Sequence, residues 1–146
     1  MENSKKLKLY VGMALTEAPL AFREEFQGGL KTGLRMLENA EVLDFVGLED
    51  GTESDVYCHD RFCTEQADLC VFICDYPSTG LGMEIAFRLA SGKPMLCFKR
   101  YKAHITRMVT GMCAIEGVPI LTYHIPQDIT AKVRKELQRI REEKSA

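Results

Sequence analysis

The stretch 67–99, ADLCVFICDYPSTGLGMEIAFRLASGKPMLCFK, decides the fold. Residues 69–74, LCVFIC, are an unbroken apolar run, the pattern of a parallel strand covered on both faces. DYPSTG (75–80) reads as a loop, and GMEIAFRLAS (82–91) as a helix that stops at Gly92 with Pro94 just beyond it. PMLCFK (94–99) reads as the next strand. Strand, loop, helix and strand in this order form a βαβ unit, whose crossover is right-handed.

The same alternation extends in both directions. LKLYVG (7–12) reads as a first strand and EVLDFV (41–46) as a second. Between them, residues 18–38 carry Leu20, Phe22, Phe26, Leu30, Leu34 and Leu37 at helical spacing. Gly28, Gly29 and Gly33 weaken that helix and predict a break near Gly28. The polar segment that follows leads into a helix at about 53–66. Beyond residue 99, a short helix is expected at 104–112, a fifth strand in VPILTY (118–123) and a final amphipathic helix at 127–143. Five strands alternating with helices predict one α/β domain over residues 1–146: a doubly wound, five-stranded parallel sheet, flavodoxin-like or Rossmann-like. Its ligand site is expected where the strands end.

The 19 Lys and Arg residues against 21 Asp and Glu give a net charge of −2, which argues against a protein that coats nucleic acid or an anionic membrane. Six basic residues lie between Lys132 and Lys144, alternating with glutamates as on the solvated face of a terminal helix. No apolar run is long enough to span a membrane, and the N-terminal segment reads as a polar lead-in to a buried strand rather than a signal peptide. Cys58, Cys63, Cys70, Cys74, Cys97 and Cys113 form no C-x-x-C pair and no zinc spacing, so they read as small core residues in a reducing cytoplasm. No metal and no organic cofactor is expected, and no nucleic-acid or membrane partner.

Chemistry belongs to the loops after the strands. In PSTGLGME (77–84), Gly80 and Gly82 let backbone approach a ligand, and Ser78 and Thr79 supply hydroxyls at a helix start. No G-K-[ST] follows, so this is not a Walker loop. Glu84 is expected in the first turn of that helix, ionised by the dipole and able to attack an anomeric carbon. Asp60 is a second carboxylate, and two carboxylates with divided roles suit glycosyl chemistry. Tyr10 places a hydroxyl near the end of the first strand, in the segment that runs on to Leu15. His59, His104 and His124 sit at no ligand spacing and read as surface or packing residues; Asp68 reads as a turn or cap residue.

With those residues in place, the chain resembles the nucleoside 2-deoxyribosyltransferase superfamily, over about residues 8–111. LYVGMAL (9–15), His59-Asp60 with the stretch 67–97, and ITRMVTG (105–111) carry the likeness. The resemblance implies that Glu84 is the nucleophile at C1′, that Asp60 serves the leaving base, and that Tyr10 holds the nucleophile. It implies a substrate pocket that includes Leu15, Ser78, Gly80, Gly82 and Thr106. Ser78 falls where transferases acting on free nucleosides carry an aspartate and where the 5′-monophosphate hydrolases carry a serine. An aspartate would repel a 5′-phosphate, whereas a serine at a helix start accepts one. Thr106 falls near a hydroxyl that reaches the phosphate from a neighbouring subunit, which implies a homodimer or higher homo-oligomer. Met13 stands where the family usually has glycine, no arginine occurs between Tyr10 and Phe22, and a charged helix replaces the C-terminal end that completes the transferase site. The expected activity is hydrolysis of the N-glycosidic bond of 2′-deoxynucleoside 5′-monophosphates. Base exchange by a deoxyribosyltransferase and a non-catalytic nucleotide-binding sensor are the alternatives.

Overall fold

A computed structural model describes residues 5–48 and 50–146. The polar lead-in at residues 1–4 and Glu49 lie outside the described residues. Five strands, β1 (Leu7–Met13), β2 (Ala40–Val42), β3 (Leu69–Ile73), β4 (Met95–Arg100) and β5 (Ile120–Tyr123), form one sheet in the order β2-β1-β3-β4-β5. Every pairing is parallel, the flavodoxin-like arrangement expected from the sequence.

The helices are α1 (Leu20–Glu25), α2 (Lys31–Arg35), α3 (Glu53–Gln66), α4 (Thr79–Ser91), α5 (Arg107–Glu116) and α6 (Pro126–Ser145). One face of the sheet, with Leu9, Val11, Val71, Ile73 and Phe98, packs against Phe22, Phe26, Leu30 and Leu34, and against Ile129, Val133, Leu137 and Ile140 of α6. The other face, with Tyr10, Cys70, Phe72 and Cys97, packs against Cys63 of α3, Leu81 and Ile85 of α4 and Cys113 of α5. The alternation of side chains along β1 therefore aims Tyr10 and Gly12 at the α3–α4 side. All six cysteines are free thiols, five of them buried.

The break expected near Gly28 is a π-helical segment, Phe26–Leu30, that joins α1 to α2 without interruption. Its cause lies in the spacing. Phe22, Phe26, Leu30 and Leu34 recur every four residues, and on a 3.6-residue helix that spacing drifts by about 40° per step. A wider turn absorbs the drift and keeps all four in the core.

The second strand is shorter than the 41–46 expected. After Val42 the chain turns, with Val46 at φ 61° and Gly47 at φ 84°, yet Leu43 and Val46 still donate backbone hydrogen bonds to Leu9 and Val11 of β1. Helix α4 begins at Thr79 rather than residue 82, because Ser78 caps it by accepting a hydrogen bond from the Leu81 N–H at 3.3 Å. Thr79 and Gly80 are thus helical, and Glu84 stands in the second turn, not the first. Helix α5 starts at Arg107, capped by Thr106, three residues later than expected.

Buried Arg88 on α4 locks this half of the molecule. Its guanidinium donates to the carbonyls of Thr64, Ala67, Asp68 and Pro94 at 2.7–3.1 Å, tying the end of α3 to the starts of β3 and β4. Asp68 accepts from the Lys8 N–H at 2.7 Å and pairs with Lys144, anchoring the last helix to the same edge.

Candidate active site

The site builds up at the carboxyl ends of β1 and β3, the point where strand order reverses and where α/β sheets of this order bind ligands. Tyr10 Oη donates to Glu84 Oε1 at 2.7 Å. Two residues along the same face of β1, Gly12 passes under the other oxygen: a Cβ there would stand 2.6 Å from Glu84 Oε2 and 3.0 Å from the Phe72 ring. Only glycine lets the strand carry this carboxylate so close. Burial raises the Glu84 pKa, the Tyr10 hydrogen bond opposes that rise, and the nearby Asp60 charge adds to it, leaving the carboxyl at about 7. The dipole ionisation expected from a first-turn position is therefore not what governs this group. Burial and the neighbouring Glu84 and Asp60 charges push the Tyr10 hydroxyl well above its ordinary value, so it stays a proton donor.

Asp60 on α3 is wrapped by the turn after β2. Leu48 N–H donates to Asp60 Oδ1 at 3.1 Å, and a Cβ at Gly47 would stand 2.7 Å from both carboxylate oxygens. The positive φ of Val46, uncommon for a β-branched residue, belongs to this wrapping. His59 Nδ1 lies 3.1 Å from Asp60 Oδ1, and its Nε2 lies 2.7 Å from Asp44 Oδ2. Burial lowers the His59 pKa, but the bonds to Asp60 and Asp44 outweigh it and the net shift is upward.

Beside this pair opens a cleft of about 940 Å³, lined by Ser78, Thr79, Gly80, Leu81, Gly82 and Ile85 from the start of α4. Its far wall is His104, Ile105, Thr106 and Val109, with Thr16, Glu17 and Tyr76 closing the β1 side. The first N–H groups of α4 face no helical acceptor, and Gly82 has nothing within 4 Å of a Cβ position. Among the described residues no Lys or Arg lines the cleft. An anion there would rest on N–H dipoles and on the Ser78, Thr79 and Thr106 hydroxyls.

The structure thus brings Tyr10, Glu84 and Asp60 within electrostatic reach of one another, and gathers Ser78, Gly80, Gly82 and Thr106 in the adjoining cleft. Glu84 and Asp60 are not part of the cleft walls. Thr106 lines the cleft of its own chain. Leu15 packs half-buried against the core, while Thr16 and Glu17 beside it line the cleft. Sequence reasoning missed Gly12, Gly47, Asp44 and the bridging role of His59. A glycine inside an apolar strand was a signal for the first. The fourteen residues between Asp44 and His59 hid the last.

No family model matches the chain, and no curated protein sequence matches it. Among solved structures, it is similar to the CMP N-glycosidase BcmB of Clostridium botulinum, with TM-score 0.66 and 17% identity over 86% of this chain and 96% of that one. It is also similar to a CheY-like response regulator receiver domain from Methanospirillum hungatei JF-1, with TM-score 0.56 and 17% identity over 96% of this chain and 99% of that one. At such identities both likenesses establish the α/β flavodoxin-like fold.

Proposed function

We propose that this chain is an N-glycosidase that hydrolyses 2′-deoxynucleoside 5′-monophosphates to free base and 2-deoxyribose 5-phosphate. The observation that carries the reading is Glu84, half-buried, held by Tyr10 Oη at 2.7 Å over Gly12, beside a cleft that opens on the start of α4. Binding alone needs no such carboxylate; attack on an anomeric carbon does. The N-glycosidase among its structural neighbours supports the same reaction class as the sequence resemblance.

In this reading the phosphate sits at the start of α4 against Ser78. Ionised Glu84 attacks C1′ as Asp60 protonates the departing base. Water then attacks C1′ of the glycosyl-enzyme, with Asp60 accepting its proton, and Glu84 is regenerated. Tyr10 orients Glu84 and lowers its pKa toward the working range. None of these steps calls on a metal or cofactor.

A second reading is a ribonucleotide substrate, favoured by the CMP named for the neighbour. The resemblance further implies a homodimer, and the six free thiols support a cytoplasmic setting. The test is chromatographic base release from a panel of ribo- and deoxynucleosides and their 5′-monophosphates, with and without a second base. Release from deoxynucleotides alone is expected. Release from CMP would favour the second reading, and a new nucleoside formed only with an acceptor base would mean transfer. Nucleotide binding without base release would mean a sensor.

A further inference from the structure

The proposed reaction leaves a negative charge on Asp60 each time the base takes its proton, and the surroundings of Asp60 show what balances it. His59 lies between two carboxylates, Nε2 at 2.7 Å from Asp44 Oδ2 and Nδ1 at 3.1 Å from Asp60 Oδ1. Ionised carboxylates only accept hydrogen bonds, so both contacts are satisfied together only when both ring nitrogens carry protons. The three groups therefore hold one proton more than two carboxylates and a neutral imidazole would. Their exposure is graded: the Asp44 side chain is 62% exposed, His59 26% and Asp60 19%. The Cys63 thiol also lies against the ring, 3.8 Å from Nε2, and Asp60 itself meets the Leu48 N–H at the same Oδ1 and feels the charge of Glu84.

We propose that His59 is a positioning residue that, bridged to Asp44, fixes Asp60 Oδ1 and as an imidazolium stabilises the carboxylate left when Asp60 gives its proton to the base. This rests on the glycosidase reading above. Asp60 as the acid gives its proton to the base nitrogen as the C1′–N bond breaks, and becomes a carboxylate paired with the imidazolium. His59 keeps both of its protons throughout, so the cation balances that carboxylate while the base leaves. The water that attacks C1′ then returns a proton to Asp60, as in the reaction above. Charge and protons balance over the cycle, and the step needs no further reactant. Oδ1 is occupied by Leu48 and His59, whereas Oδ2 has no partner among the described residues, which leaves it for the base. The upward shift of the His59 pKa agrees with the bridging geometry.

The test compares His59→Gln with wild type on two substrates. One is dCMP, whose base must be protonated to leave; the other is 7-methyl-dGMP, whose cationic base leaves unaided. The expected result is a loss of about 100-fold or more on dCMP, the size of a general-acid contribution, with little change on 7-methyl-dGMP. The descending limb of the dCMP pH profile should follow the His59 pKa read by ¹⁵N NMR, and Asp44→Asn should lower both together. Equal losses on both substrates, or a His59 that titrates at its ordinary value and ignores Asp44→Asn, would overturn this role of His59. Wild-type enzyme silent on both substrates would overturn the glycosidase reading and the role of His59 with it, while the NMR titration would still report whether the bridge exists.

Discussion

At the residue scale, Glu84 concentrates a conflict between stability and chemistry. Its folded pKa of about 7 lies above the ordinary carboxylate value. Between those values the folded protein holds a proton that the unfolded chain has released, so stability falls as pH rises from about 4.5 to 7 and stays reduced above that. Glu84→Gln removes the buried charge and keeps an acceptor for Tyr10. It should abolish turnover yet melt higher than wild type at pH 8, with the gap closing toward pH 5; thermal melts at the two pH values check this. The same pKa predicts a kcat/KM that rises with pH through about 7 as the nucleophile ionises. Tyr10→Phe deletes a hydrogen bond to that anion, a contact of about 1.5–3 kcal/mol, so the rising limb should move up by about one to two pH units. An unmoved limb would mean that another group sets it. Gly12→Ala should cut activity because its methyl needs the space of Oε2, and Phe72 beside it leaves little room to give.

The elements show why some of this was legible and some was not. The β3–α4–β4 unit could be read because its apolar run, its stop at Gly92 and its Pro94 all act locally. The start of α4 was misplaced because Ser78, Thr79 and Gly80 look like a turn; the capping hydrogen bond to Leu81 N–H decides otherwise. The π-helical segment could be anticipated only as a weakness at Gly28, since its real cause is a four-residue spacing that tertiary burial enforces. Residues 43–46 read as strand because Leu43, Phe45 and Val46 are apolar, but the backbone here turns and runs on to wrap Asp60. Arg88 carries the clearest prediction at this scale. Its donors meet only carbonyls, so Arg88→Met leaves four buried acceptors short of partners. Lysine cannot span them either. Both variants should lose about 2–4 kcal/mol or more in denaturant melts while leaving Tyr10 and Glu84 paired in any molecules that remain folded.

For the whole molecule, alternation and handedness predict a doubly wound parallel sheet with its site where the strands end, and leave the order open between flavodoxin-like and Rossmann-like. The structure selects β2-β1-β3-β4-β5, which puts the site at the β1/β3 crevice. What topology could not supply was reach. Tyr10 and Glu84 are 74 residues apart, and their pairing depends on the β1–β3 register and on the side-chain alternation that points Tyr10 at α4. His59 and Asp44 meet for a similar reason, since the turn after β2 folds back over α3. The homo-oligomer implied by the resemblance is a whole-molecule property, and sedimentation of the purified chain should give a mass of at least two copies. The most direct test of the central claim is to mix enzyme with deoxynucleotide, quench in acid within one turnover, and map peptides by mass spectrometry. The mechanism requires 2-deoxyribose 5-phosphate attached to the peptide that bears Glu84, and none in Glu84→Gln. Base release with no adduct at any time, persisting in Glu84→Gln, would contradict it.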